Sequence, residues 1–508
     1  MKGINSFLEK YWKIILIAIL LFSFMFHLKY MNVNAAVWWD EADYLSLGKH
    51  YGTGTPELAA PWRSRLVPML WGPFFFFGLG ETSIRLLGLL VGVFASFLTF
   101  KLGSEMYNKK VGLGAALILV FLPEVTFWLA RVSLDIYSMA MWLVIGYCFW
   151  MGYVREKSRW HIVATGAVLG AGIFAYESVG FAYPFIFIFL LVTERLKFLR
   201  NKKFWIMVAA IVIAMAPMLV YNQVNFGNPY PRVFQMMVSQ YAPVSGEPAA
   251  DVQRPIGEII FEATQYTRSF HVYLQWPFFI AFLFGLIGFA NMFLGFDYVW
   301  KNKDENLKKK FYLFIWMLVV LGFFGFVQST TAFYFEPRFM FALYPVMCLI
   351  TADGMGRIFS FARKYNREVA VLAVAALFVA GAYYSYDFGA KMVNSKKDSF
   401  LQEKQGGLWL KANTAEGEKL FGCGLSVPII YYSEREMKIY SGNDLEEAKA
   451  KILEHRPKYY IVDFFDPGCR PTIPFDNPEI FTPVQAFFLD PNRQQAVYII
   501  FAINYEAL

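Results

Sequence analysis

Residues 13–44 read KIILIAILLFSFMFHLKYMNVNAAVWWDEADY. From Ile14 to Leu28 the stretch holds no acid, lysine or arginine, and it is long enough to begin crossing a hydrocarbon layer of about 30 Å. Beyond it come Trp38 and Trp39, the residue type that gathers at membrane–water boundaries, and then three acids, Asp40, Glu41 and Asp43. The segment thus reads as a membrane helix that delivers an acidic loop to the water boundary. No small-residue cleavage site follows the apolar run, so it is expected to be a retained first helix and not a signal peptide.

The same pattern recurs along the chain. Apolar runs long enough to cross a membrane fall near 13–30, 82–101, 111–129, 133–153, 161–176, 178–193, 204–222, 276–296, 311–330, 338–355 and 368–386, which makes about eleven expected crossings. Leu66 to Gly80 is also apolar but short and broken by Pro and Gly, so it is expected to be re-entrant or interfacial. Lys and Arg concentrate in alternate loops, at Lys2/Lys10/Lys13, Lys109/Lys110, Arg155–Arg159, Arg195–Lys203, Lys301–Lys310 and Arg357–Arg367. Such loops face the cytoplasm. The N-terminus is then cytoplasmic, and loops 31–81 and 223–275 and the whole C-terminal tail lie outside.

Composition agrees with a lipid environment. Of 508 residues 57% are hydrophobic, 19% aromatic and 17% charged, more apolar surface than one water-soluble core could hide. The net charge of +8 sits in short loops and not in a stripe, which excludes nucleic acid as a partner. The four cysteines show no metal-ligand spacing; Cys423 and Cys469 are the pair that an oxidising compartment could bridge. From about residue 395 the chain changes character, with amphipathic stretches at Phe400–Ala412 and Leu445–His455 and β-rich runs at Lys458–Phe464, Gln485–Leu489 and Ala496–Ile503. The expected fold is mainly α: a polytopic membrane bundle over 1–390, then a small soluble α/β domain over 391–508 outside the membrane.

A charged side chain at membrane depth costs several kcal/mol unless it is paired or lines a wet cavity. On this topology the informative polar residues gather at the outer face: Asp40, Glu41 and Asp43 after the first helix, Arg131 and Asp135 at the fourth, Glu177 in a tight turn, Glu336 and Arg338 before the tenth. Carboxylates there can act as base or metal ligand, and arginines can hold an anion. Asp43 is expected to be a surface acid, and His50 and His271 wetted loop histidines. The amphipathic segment Ile256 to Leu274 is expected to lie on the membrane, where it could cover the site.

The motif Trp38 to Tyr44 resembles the Asp-Glu-x-x-Tyr motif in the first external loop of GT-C class glycosyltransferases of the protein O-mannosyltransferase and lipid A aminoarabinose transferase type. The order of later features is similar too: Arg63 to Pro73, Gly80 to Leu86, Pro123 with Asp135, and Glu336 to Pro345. Trp62–Leu66 stands where the family often has Lys-Pro-Pro-Leu, and Tyr176-Glu177 where it has Thr-Lys. The resemblance implies a GT-C bundle and inverting transfer of a sugar from a polyprenyl-phosphate donor to a protein, glycan or lipid acceptor outside. It implies Asp40 as base, Glu41 and Asp135 as further catalytic acids, and Tyr44, Arg63, Arg65, Arg131, Glu177 and Arg338 as substrate-binding residues. A divalent cation, Mg²⁺ or Mn²⁺, is an open possibility at the acids. The principal alternative is a multi-helix transporter; a third is a non-catalytic envelope scaffold.

Overall fold

The structure, a computed structural model, describes residues 2–59, 63–229, 255–295, 299, 304–330, 335–424, 426–440, 442, 444–464, 469, 472–489, 492 and 494–508; for 2–9, 327, 328 and 330 only the main chain is described. Residues 230–254 of the expected loop 223–275, like Lys301–Lys303, therefore lie outside the described residues. The chain folds as two compact units, Met1–Met31 with Arg85–Asn394, and Asn32–Ile84 with Ser395–Leu508.

The first unit is helical. In chain order the helices up to the first long loop are α1 Lys2–Leu28, then α2 Trp39–Thr53 and α3 Leu66–Phe76, which belong to the second unit, and α4 Gly80–Met106, α5 Lys109–Phe121, α6 Pro123–Leu129, α7 Leu134–Phe149, α8 Arg159–Ala175, α9 Ala182–Glu194 and α10 Lys202–Phe226. Next come α11 Ile256–Ala263, α12 Phe270–Leu294, α13 Glu305–Thr330, α14 Tyr344–Ala362 and α15 Arg367–Ser395. Among the described residues eight helices are long and apolar enough to cross a membrane, or nine if α5 and α6, bent by 60° at their junction, make one span. The protein is an integral membrane protein.

Two of the eleven expected crossings differ. The run 161–176 is α8, a helix of 17 residues, about 25 Å long and at the lower limit of what can cross the hydrocarbon. The run 338–355 becomes a 3-10 turn, Pro337–Ala342, and then α14. Asp353 and Arg357 pair across one turn of α14 at 2.7 Å, and these charges keep it from reading as an apolar span. Small residues let α14 approach α12 closely: a Cβ added at Gly354 would collide with the carbonyl of Ala281, and one at Gly285 with that of Ile350. The stretch Leu66 to Gly80 contains α3, only 11 residues long, with Leu70 and Phe76 exposed. It cannot cross.

The second unit carries α16 Leu401–Asn413, β1 Leu420–Cys423, α17 Val427–Ser433, β2 Met437–Ile439, α18 Leu445–His455, β3 Tyr459–Asp463, β4 Phe481–Phe488 and β5 Ala496–Ile503. Its sheet has the order β2-β1-β3-β5-β4. β1 pairs parallel with β2 and β3, whereas β5 runs antiparallel to β3 and β4. One buried cluster holds Phe421, Tyr460, Val462, Phe481 and Phe501, another Leu410, Leu420, Ile461, Val497 and Ile500. Cys423, at the end of β1, is disulfide-bonded to Cys469 with a Cα separation of 5.0 Å.

Sequence divides the chain at 390/391 and leaves loop 31–81 with the membrane part; the structure packs 32–84 with the C-terminal residues. The main chain joins them, the amide of Ala35 donating to the carbonyl of Lys397 at 2.8 Å. Lys404 Nζ donates to Ala35 O at 2.7 Å and Tyr432 Oη accepts from the amide of Val37 at 2.9 Å. Lys49 on α2 pairs with Glu434 at 2.9 Å. Two segments of one folded unit lie on one side of a membrane, so the crossings between them must be even in number. Seven of the eight apolar helices lie between residues 80 and 395. Parity is met when the bent α5–α6 pair is counted as a span, and is kept when α8 and α14 both cross as well.

Candidate functional site

In the second unit the site is built on the first turn of α2. Trp38 is extended and α2 begins at Trp39, so Asp40 and Glu41 occupy the turn where the helix macrodipole favours negative charge. Asp40, Asp43 and Tyr44 share a helix face, being three and four residues apart. Arg63, in the segment before α3, bridges them. Its Nη2 donates to Asp40 Oδ1 at 2.6 Å and its Nε to Asp43 Oδ2 at 2.7 Å, and its guanidinium lies 5.4 Å from the centre of the Tyr44 ring. Close crossing of α2 and α3 sets this loop, for a Cβ at Gly52 would strike the carbonyl of Gly72.

Burial separates the acids. The Asp40 side chain is 30% exposed, whereas Glu41 and Asp43 are each 2% exposed. The expectation of Asp43 as a surface acid is thus corrected: it is buried because Arg63 gives it a charged partner. Burial works against the Arg63 charge, but Tyr44, Asp40 and Asp43 outweigh it and hold the guanidinium more firmly protonated than an exposed arginine. Arg65 is placed apart from these residues, donating to Glu57 Oε1 at 2.5 Å and to Tyr51 Oη at 3.1 Å.

The remaining expected residues lie in the first unit. Ser133, not Asp135, caps α7, its Oγ accepting from the amide of Asp135 at 3.1 Å and donating to Asp135 Oδ2 at 2.8 Å. The other carboxylate oxygen accepts from Tyr176 Oη at 2.8 Å. Asp135 is only 3% exposed. Glu177 is half-buried and opens the 3-10 turn after Tyr176. Arg131 is buried with its guanidinium 4.5 Å from the Phe127 ring centre. Arg338 lies 3.5 Å from Glu336 and 5.3 Å from the Trp128 ring centre.

Sequence reasoning missed Glu124. It is buried in the first turn of α6, directly after the Pro123 bend, and feels the charges of Glu336 and Asp135. A lone acid after a proline inside the apolar run 111–129 was the available signal. Among the described residues no group of three or more His, Cys, Asp and Glu side chains is placed to hold a metal ion, and an Asp40 oxygen is engaged by Arg63.

Comparison with known proteins follows the same lines. Residues 67–221 match the dolichyl-phosphate-mannose-protein mannosyltransferase family. No curated protein sequence matches the chain. Among solved structures it is similar to ArnT from Cupriavidus metallidurans bound to undecaprenyl phosphate, with a TM-score of 0.65 and 13% identity over 96% of this chain and 98% of ArnT. It is also similar to the archaeal oligosaccharyltransferase AglB from Archaeoglobus fulgidus, solved with an inhibitory peptide and a dolichol-phosphate, with a TM-score of 0.60 and 13% identity over 99% of this chain and 75% of AglB. The chain, a bundle of membrane helices with a small C-terminal sheet, thus has an ArnT-like GT-C type of fold.

Proposed function

We propose that this protein is a membrane glycosyltransferase that moves a sugar from a polyprenyl-phosphate donor to an acceptor on the outer face of the membrane, with inversion at the anomeric carbon and Asp40 as base. The observation that carries the reading is the division among the loop acids: Glu41 and Asp43 are buried, while Asp40 keeps an accessible carboxylate oriented by Arg63. Likeness to ArnT, solved with undecaprenyl phosphate, and the mannosyltransferase match over 67–221 support the donor class. In this reading Asp40 takes the proton from an acceptor hydroxyl as its oxygen attacks the anomeric carbon. The bond from that carbon to the phosphate oxygen breaks, and the lipid phosphate leaves with the electron pair.

Positive charge is needed where the phosphate leaves. The carboxylate contacts of Arg63 and Arg65, at 2.5–2.7 Å, are shorter than the 3.5 Å between Arg338 and Glu336, so Arg338 is the preferred phosphate holder, with Arg131 next. No step is routed through a metal ion. The test is purified protein incubated with radiolabelled polyprenyl-phosphate sugars and envelope extract. Label leaving the lipid in wild type but not in Asp40→Asn supports the reading; equal turnover in both removes Asp40 as base, and no release with any donor overturns the function.

A further inference from the structure

The second unit holds a cavity of about 550 Å³. Trp39 and Phe400 contribute aromatic surface to its wall, and Glu403, Ser426, Asp463 and Tyr498 contribute polar groups. Trp39 is 38% exposed, and Phe400 is backed by Trp38 with ring centres 5.9 Å apart. Tyr498 Oη donates to Asp463 Oδ2 at 2.9 Å, and both residues are buried. Glu403 is 3% exposed, yet its Oε2 has no hydrogen-bond partner among the described residues. An unsatisfied buried carboxyl oxygen costs free energy that a ligand hydroxyl would recover.

The chemistry of the wall narrows the occupant. Among the described residues no lysine or arginine lines the cavity, which disfavours an anion. Its acids form no metal-holding group among the described residues. Burial first, and then the nearby Asp463 charge, push the Glu403 carboxyl up to about 7 against a bond from its own amide, so near neutrality it carries a proton much of the time and can donate. A fitting ligand is uncharged, both gives and accepts hydrogen bonds, and has an apolar face for an aromatic ring. We propose that this cavity binds an uncharged sugar residue of a glycan. The inference deepens the reading above, on which it rests for naming the acceptor as a glycan, since Trp39 directly precedes Asp40 in the chain.

Saturation-transfer NMR on the full chain in nanodiscs, which avoids sugar-headed detergents, tests it with methyl α-mannopyranoside, a mannotriose and the amine ethanolamine as probes. The expected result is saturation transfer to at least one sugar, with affinity lowered about tenfold or more in Trp39→Ala and in Glu403→Ala. Affinity should fall from pH 6 to pH 8 as Glu403 ionises beside Asp398, Asp463 and Tyr498. Glu403→Gln should bind without that pH dependence, which separates a recognition role from a structural one. Binding of neither sugar, binding of ethanolamine alone, or sugar binding unchanged in both alanine variants overturns the inference. Because binding is read without turnover, sugar binding in a protein that releases no label from any donor would sink the transferase reading and leave the cavity assignment standing.

Discussion

Arg63 holds Asp40 at 2.6 Å through Nη2 while its Nε holds the buried Asp43 at 2.7 Å. One guanidinium therefore orients the accessible acid and compensates the inaccessible one. Asp40→Asn keeps the shape and the hydrogen bond but loses the proton acceptor. Transfer should drop by about 10² to 10⁴ with the protein still folded and inserted.

Asp43→Asn should behave differently. It removes one of the two carboxylates that fix Arg63, so the expected change is a less ordered Asp40 and a loss of about 1–3 kcal/mol of local stability, with activity reduced by much less than in Asp40→Asn. Initial rates for the two variants, measured beside hydrogen exchange over α2, make the comparison. Rates that fall equally, with exchange unchanged, would mean Asp43 takes part in the chemistry itself.

The Cys423–Cys469 bridge closes a sequence separation of 46 residues, for which loop entropy suggests about 4 kcal/mol of stabilisation. Alkylation without reductant should leave both cysteines unmodified while Cys148 and Cys348 stay unpaired. Reduction should lower the unfolding temperature of the strands β1 and β3 ahead of the helical unit. Full alkylation of Cys423 and Cys469 in unreduced protein is the contrary result.

The parts of the fold legible in sequence are those with a local signature. Apolar runs marked most of the membrane helices, and the tail's periodicity located α16, α18, β3, β4 and β5. β1 and β2, of four and three residues, are too short to show a period, and α17 lies beside them in an apolar stretch. The packing of 32–84 with 395–508 has no local signature because it joins residues hundreds of positions apart. At the candidate site, residue types announced Asp40 and Asp135, but partners did not: nothing in the spacing ties Arg63 to Asp40 or Tyr176 to Asp135. Glu124 escaped because its neighbours, Pro123 and Val125 to Leu129, read as ordinary span.

Glu403 makes the second unit sensitive to pH. Its folded pKa of about 7 lies above the unfolded 4.5, so between these values the folded state holds a proton that the unfolded chain has released. Stability is then greatest below about 4.5, falls as pH rises to about 7, and is level beyond, a change of at most about 3 kcal/mol. Protection of the α16 amides, corrected for the intrinsic rise of exchange with pH, should fall across this range in wild type and stay flat in Glu403→Gln. Parallel profiles for the two proteins would assign the pH dependence to other groups.

The packing of 32–84 against 395–508 makes a definite statement about topology. Since both segments belong to one folded unit, a tag at residue 54 and a tag after Leu508 should label together, and the alternate Lys- and Arg-rich loops place both outside. The same rule places tags after Lys203 and after Lys310 in the cytoplasm, which requires α8, with its 17 residues, and then α14 to cross as the sequence expects. An impermeant reagent on intact cells should therefore reach the first two and miss the last two until lysis. Protection of all four tags except those at 203 and 310 would invert the orientation while keeping the fold. Labelling at 54 with protection at 508 is the more damaging outcome, because it would require an odd number of crossings between residues 80 and 395 and so would separate the two halves of the sheet-containing unit across the membrane.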